Sequence, residues 1–299
     1  MTTTRKEHLD GVAVASLLLC TLLWGLGQVA AKVAVAELPP LSQAALRSLG
    51  AAVLVGLWSR SRGIALLGRD DSLPGGMLAG LLFAAEFACI FIGLQYTTAS
   101  RMVVFIYLSP FVVALGMPFI AKSERLSPPQ TIGLLLAFAG VAWAFAEGFS
   151  KPAAGARQWF GDALGVLGAV LWGATTLVIR GSRLATASAE KTLFYQLAVS
   201  GLALAAAAWA VGEPWPAHAS ALVWNAFAFQ TVIVSFASYL LWFWLVRHYP
   251  ATRLSSFTLL TPLFGLLFGV LLLGEPTTAR LLLALAAVAL GIVLVNRRG

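Results

Sequence analysis

The chain has 299 residues, of which 60% are hydrophobic and only 11% charged, and its mean hydropathy is +0.87. An ordinary soluble protein is about a quarter charged, so this chain cannot clothe a water-facing surface and must dissolve in lipid; at roughly 20 apolar residues per crossing it holds about ten spans and no soluble domain. The net charge of +8 does not point to nucleic acid, because Lys and Arg lie scattered between apolar runs instead of clustering on one face.

Ten apolar runs follow one another at residues 11–36, 41–59, 75–96, 99–121, 128–147, 161–180, 192–211, 221–246, 252–274 and 278–296. The breaks between them carry Pro39-Pro40, Asp70-Asp71, Pro74-Gly75, Pro128-Pro129 and Pro214-Trp215-Pro216, residues at which helices stop. The shortest break is Thr97-Thr98. Arg5 and Lys6 before an apolar stretch resemble a signal peptide, with Ala30-Ala31 as a passable cleavage site. The first run is nevertheless too long for a signal core, and the repeat described below needs it, so it is read as a retained span. Cys20 and Cys89 both lie inside apolar runs and are read as small buried residues, with no disulfide framework and no metal site.

With ten spans, fourteen of the 20 Lys and Arg fall on the side that carries both termini. Four, Arg101, Lys151, Arg157 and Arg280, fall on the other, and Lys32 and Arg47 lie within spans. This bias predicts a multi-pass protein of the cell (inner) membrane with both termini in the cytoplasm.

The two halves resemble each other. Trp24-Gly25, Gln28 and Lys32 in the first span match Trp172-Gly173, Thr176 and Arg180 in the sixth, at an offset of 148. Ala99-Ser100-Arg101 pairs with Ala251-Thr252-Arg253, Phe105 with Phe257, and Ser109-Pro110-Phe111 with Thr261-Pro262-Leu263, while Glu124 and Glu275 close both segments. A duplication places five spans in residues 1–150 and five in residues 151–299. Five is odd, so the copies insert upside down, a design recurrent in secondary transporters. The expected fold is an all-α integral membrane protein of ten transmembrane helices in two inverted-topology repeats. Pro110 and Pro262, at equivalent mid-span positions, are candidate conformational hinges, because proline removes a backbone hydrogen bond and clashes with the preceding turn.

Trp24, Gln28 and Lys32 recur every four residues and form one stripe, as do Trp172, Thr176 and Arg180. Polar stripes avoid lipid and face the bundle interior, although Lys32 and Arg180, near span ends, also have the option of snorkelling to the interface. Glu86 is the carboxylate read as lying well inside a span, and an ionisable group at that depth is a functional candidate, either for a substrate ammonium or for a coupling proton. Its bland alternative is a structural partner for Arg47. Lys32 and Arg47 are paired as candidates for a substrate carboxylate near the outer mouth. In the eighth span Ser235, Tyr239 and Trp242 share a face that Gln230 and Ser238 partly overlap. Aromatic rings stack on flat substrates, so Tyr107, Tyr239 and Trp242 are read as cavity-lining. Tyr96, Trp58 and Trp224 at span ends are read as an interfacial belt. Gly265 and Gly269 give the ninth span a small-residue face for close packing.

The Trp-Gly of each half, the mid-span proline and the run Leu271-Leu272-Leu273-Gly274-Glu275-Pro276 before a final apolar helix resemble the EamA-type members of the drug/metabolite transporter (DMT) superfamily, and within it the YddG-type aromatic amino acid exporters. The resemblance covers essentially the whole chain. It implies a basket of helices 1–4 and 6–9 around a central cavity, helices 5 and 10 as outer support, and export of amino acids or amphipathic metabolites. The first half departs from it in having Ala121-Lys122-Ser123 where the second has Gly274 before its Glu.

The function expected is therefore a secondary transporter that exports amino acids, aromatic and other apolar ones foremost, by alternating access. An exporter of lipophilic cations or drugs, with Glu86 as the cation partner, is the alternative. An intramembrane enzyme is disfavoured: His8, His218 and His248 fall at termini or loops, and there is no H-E-x-x-H, no clustering of intramembrane carboxylates and no P-loop. No cofactor or metal is expected. The partners expected are a small-molecule substrate and the lipid bilayer, not nucleic acid, and a monomer is the oligomeric expectation.

Overall fold

The protein is seen here in a computed structural model that describes residues 10–68, 70–120, 127–150, 152, 154–214, 218–249, 257–258 and 260–296. Residues 5, 6, 8, 69, 121–125, 151, 251–253, 297 and 298, used above for orientation or for the repeat, lie outside the described residues, as does the side chain of Arg247.

The helices, in chain order, are α1 (Gly11–Ala34), α2 (Pro40–Ser61), α3 (Leu73–Gly93), α4 (Ala99–Ile106), α5 (Ser109–Ile120), α6 (Pro128–Ser150), α7 (Gln158–Gly181), α8 (Ala189–Ala210) and α9 (Ala221–Ala228). A π-helical segment (Phe229–Ser238) then leads into α10 (Tyr239–His248), followed by α11 (Leu260–Leu273) and α12 (Ala279–Asn296). Among the described residues, eight helical stretches are long and apolar enough to cross a membrane, counting Ala99–Ile120 and Ala221–Leu245 as one each, and Leu260–Leu273 and Ala279–Leu294 are shorter apolar helices.

Local chemistry sets the boundaries. Asp10 caps α1 by accepting from Ala13 N at 2.9 Å. The short Thr97-Thr98 break holds because Thr98 is an N-cap that accepts from Arg101 N at 3.1 Å, satisfying a donor that the new helix leaves free. Pro40 starts α2, where its missing N–H costs nothing.

Two irregularities interrupt the spans. The fourth breaks at Tyr107-Leu108, one turn ahead of Pro110, where Leu108 N and Phe111 N each reach only three residues back, to Phe105 O and Leu108 O. This is the lesion expected of a proline that cannot donate to the preceding turn. Pro262 is buried in α11, whose described part begins at Leu260. The eighth span changes from α to π winding, a feature that periodicity did not reveal. There Thr231 and Ser238 donate to carbonyls four residues back, Phe227 O at 2.9 Å and Val234 O at 2.6 Å, a side-chain pattern that perturbs regular helix bonding.

The turns after α1, α3, α8 and α11 meet one another at one end of the bundle, the far end, where Lys32 reaches Thr97, Glu37 meets Ser220, Glu213 meets Ser42 and Glu275 meets Ser100. Asp10, bonded to Tyr249, marks the other, near end. α3 packs on α7 and α8, and the α9–α10 stretch packs on α1 and α2. α1 packs on α11, and α7 on α4 and α5. α2 lies against α8, α4 against α11, and α6 against α12. Gly265 and Gly269 face α4 as expected of a small-residue surface: a Cβ at Gly265 would lie 2.8 Å from Val103.

The Trp-Gly pair of each half has a packing reason. A Cβ at Gly25 would stand 2.8 Å from the backbone nitrogen of Gly265 on α11, and a Cβ at Gly173 would stand 2.6 Å from Val112 on α5. Each glycine lets its helix approach its neighbour where a side chain would collide, which positions the preceding tryptophan.

Candidate functional site

An aromatic wall forms where α1 meets the eighth span. Trp24 is half-buried; its indole Nε1 donates to Ser238 Oγ at 2.9 Å, and its ring stands edge-on to Trp242 at 5.3 Å and to Tyr239 at 6.3 Å. A second wall joins the halves elsewhere: Tyr107, buried at the break of the fourth span, meets Trp172 of α7 edge-on at 5.7 Å. The structure thus brings Trp24, Tyr239 and Trp242 into one cluster and Tyr107 with Trp172 into another. Gln28 is half-buried one turn beyond Trp24, and its buried Oε1 accepts nothing. Thr176 spends its hydroxyl on its own helix, at Trp172 O, and Arg180 is exposed.

Beside the first wall lies a buried polar cluster. Arg47 of α2 is 3% exposed and Glu86 of α3 is 4% exposed. The guanidinium sits 3.8 Å above the Phe87 ring, and its Nη1 donates to Ser235 Oγ at 2.9 Å. The Tyr239 hydroxyl lies near enough to interact with the guanidinium, short of a formed hydrogen bond to Nε or Nη2, and Glu86 stands within its electrostatic reach. Arg47 Nε and Nη2 and Glu86 Oε2 have no hydrogen-bond partner, and no ion pair joins the two residues among the described ones. Gln230 of the π segment completes the cluster, donating to Ala30 O at 3.1 Å and accepting from Gln43 at 3.4 Å. Within the π segment Gln230, Ser235 and Ser238 are all buried.

Lys32 does not join Arg47. Its Nζ donates to the Leu94 carbonyl and, at 2.8 Å, to the Thr97 carbonyl, so it caps the C-terminal end of α3. The structure thus gives Lys32 a place in the turn after α3, and the expected pairing of Lys32 and Arg47 on one substrate carboxylate gains no support from it.

The far end carries a network that sequence reading missed. Arg101, 3% exposed in the first turn of α4, donates through Nε and Nη2 to Asp162 of α7 and through Nη1 to Glu147 of α6, with Nη2 also reaching Ala144 O. Thr97 donates to Asp162 at 2.6 Å and Thr278 to Glu147 at 2.7 Å. The expectation that carboxylates within spans do not cluster is corrected here, since Glu147 and Asp162 share one arginine. Three more carboxylates hold helix N-termini: Glu275 accepts from Ala99 N, Ser100 N and Ser100 Oγ; Glu213 from Leu41 N, Ser42 N and Ser42 Oγ; and Glu37 from Ser220 N and Oγ. Negative charge is favoured at these partly positive ends. Hydrogen bonds from Ser220 hold the exposed Glu37 carboxyl below its ordinary range. At the near end, among the described residues, Lys191 donates to Asp70 at 2.6 Å and Tyr249 to Asp10 at 3.0 Å.

The profile of one transporter family matches residues 11–146 of this bundle of apolar spans and again residues 159–297. The chain belongs to the EamA-like transporter family. It is an integral membrane transporter of that family, in the DMT superfamily. This EamA-like chain is 28% identical over 285 residues to the uncharacterized transporter YvbV of Bacillus subtilis, covering 93% of this chain and 89% of that one. It is 27% identical to an uncharacterized transporter of Archaeoglobus fulgidus, covering 87% and 88%. A solved structure shares the EamA-like fold with a TM-score of 0.66 at 19% identity, over 96% of each chain.

Proposed function

We propose that this EamA-like transporter exports amino acids, aromatic and other apolar ones foremost, by alternating access around the centre of two inverted five-span repeats, residues 1–150 and 151–299. The family profile matches once on either side of residues 147–158, which supports the division. The packing scheme supports the inversion, because exchanging the first five spans with the second five maps the main helix pairings described above onto one another. On this reading the far end faces outward, both termini lie in the cytoplasm of a cell whose inner membrane holds the protein, and the far-end network closes the exit. The break at Tyr107-Leu108 ahead of Pro110, with Pro262 as its counterpart, supplies the bending points.

The observation that carries the substrate class is the edge-on cluster of Trp24, Tyr239 and Trp242 beside buried polar groups. Such walls take up a flat apolar side chain while nearby polar atoms take its charged end. The alternative reading, a lipophilic-cation exporter, rests on Glu86, a buried carboxylate without an ion-pair partner among the described residues. The deciding experiment is uptake of labelled phenylalanine, tryptophan and a lipophilic cation into proteoliposomes, with and without a pH gradient. Saturable amino-acid flux that falls in Trp24→Ala and Trp172→Ala carries the first reading. Cation flux alone, lost in Glu86→Gln, replaces it with the second.

A further inference from the structure

Two arginines of this protein are buried to the same degree, 3% exposed each, and their comparison is informative. Arg101 fills the edge of its guanidinium made by Nε and Nη2 with the Asp162 carboxylate. Arg47 leaves that same edge unpartnered, although its Nη1 is anchored on Ser235 and its plane rests on Phe87. That edge is the fork that grips a carboxylate with two parallel hydrogen bonds. An arginine locked in orientation with this edge unused is preorganised for an incoming carboxylate.

Glu86 supplies the complementary charge. It is nine-tenths buried, electrostatically coupled to Arg47 without forming an ion pair, and its Oε2 is unpartnered. Leaving two ionisable side chains buried and unsatisfied is costly, and a single partner offering one carboxylate and one ammonium relieves both.

We infer that Arg47 and Glu86 form the head-group receptor for a free amino acid, the substrate α-carboxylate taking the Nε–Nη2 edge of Arg47 and the α-ammonium taking Glu86. The side chain then lies toward Tyr239, which neighbours both Arg47 and the Trp24 wall. The inference rests on the amino-acid reading above and adds to it the requirement that both charges be present on one molecule. With both residues occluded in this structure, the receptor is reached only when one end of the bundle opens.

The test uses the full chain in proteoliposomes and compares phenylalanine with phenylpropionate, which lacks the ammonium, phenethylamine, which lacks the carboxylate, and alanine, which lacks the ring. The wild type is expected to move phenylalanine and to discriminate against both single-charge analogues by roughly a hundredfold, the scale of one buried charge left unpaired. Glu86→Gln should lose phenylalanine flux and shift preference toward phenylpropionate, while Arg47→Gln should shift it toward phenethylamine. To guard against misfolding, the unmodified protein is also tested for thermal stabilisation by phenylalanine, its methyl ester and its N-acetyl derivative, and only the free amino acid should stabilise. Equal action of the ester or the N-acetyl compound, or a parallel loss of all substrates in both variants, overturns the receptor while leaving the exporter reading intact. Alanine moved in place of phenylalanine overturns the aromatic preference and leaves the receptor standing. No amino-acid flux overturns both.

Discussion

The guanidinium edge of Arg101 grips the Asp162 carboxylate, with Nη2 to Oδ2 at 2.7 Å and Nε to Oδ1 at 3.1 Å, and this one pair ties the first half of the chain to the second. Neither side chain touches water: Arg101 is 3% exposed and Asp162 not at all. Removing one member of such a pair strands the other, at a cost of about 3–5 kcal/mol. Arg101→Gln is therefore expected to destabilise strongly, because it abandons both Asp162 and Glu147. Asp162→Asn is expected to cost less, since Arg101 keeps Glu147 and the Ala144 carbonyl. Thermal melts of the two purified variants check the order, and equal losses would contradict it.

The tripeptide Gly-Glu-Pro occurs at 212–214 and again at 274–276, and it does the same work twice. Gly212 (φ +71°) and Gly274 (φ +64°) end their helices in the left-handed conformation open to glycine, which aims the next residue at the N-terminus of a first-half helix. Each glutamate then accepts three hydrogen bonds there. Glu275 is buried, whereas Glu213 is half-buried and shares its helix end with solvent. Glu275→Ala is expected to lower stability by roughly 1–3 kcal/mol for each donor left unpaired, and Glu213→Ala by clearly less. Comparing melting temperatures of the two variants tests this, and a larger loss at Glu213 would refute it.

The parts of this fold legible in the sequence are those lipid dictates. Span edges at Pro40, Thr98 and Pro128 were readable because a helix end leaves orphan groups that only certain residues satisfy. The break ahead of Pro110 followed from its missing N–H. The Trp-Gly pairs were visible as a repeat, but their meaning, close contact with the Gly265 backbone and with the Val112 side chain, needed the packing. Arg101, Glu147 and Asp162 were misread because they stand 46 and 61 residues apart in sequence and each lies near a span end, where a charge looks like an ordinary interfacial residue. The repeated Gly-Glu-Pro was a signal available in the sequence and passed over at 212–214. The π segment left no such mark, since Gln230, Ser235 and Ser238 fit an α-helical stripe nearly as well.

At the near end, Asp70 lies in the turn between α2 and α3 and accepts from Lys191 and Ser72, and these bonds pull its carboxyl from 3.8 down to about 2. A carboxyl lowered on folding adds stability that is complete above its ordinary pKa and disappears as pH falls through the lowered one. The difference in melting temperature between wild type and Asp70→Asn is therefore expected to hold constant from neutral pH down to about pH 4 and to close as pH approaches about 2. The exposed position of Asp70 keeps the difference small throughout. A gap that widens on acidification would contradict the assignment.

The two Trp-Gly pairs make a last, paired prediction. A methyl group at Gly25 would meet the backbone nitrogen of Gly265 and Phe264 Cβ, both at 2.8 Å, whereas one at Gly173 would meet the Val112 side chain at 2.6 Å and the Ser109 carbonyl only at 3.2 Å. Backbone has no rotamer by which to retreat, but valine has some freedom to turn. Overpacking of this kind costs about 1–3 kcal/mol, so Gly25→Ala is expected near the top of that range and Gly173→Ala nearer the bottom. Each substitution pushes one helix away from its neighbour in the other half and moves the adjacent tryptophan with it. Transport of an aromatic substrate should therefore fall more than stability alone explains, with Gly25→Ala also disturbing the Trp24 bond to Ser238. Flux per folded molecule, measured beside the melting temperature, separates the two effects. Stability lost with flux per folded molecule unchanged would mean that the tryptophans do not depend on this contact.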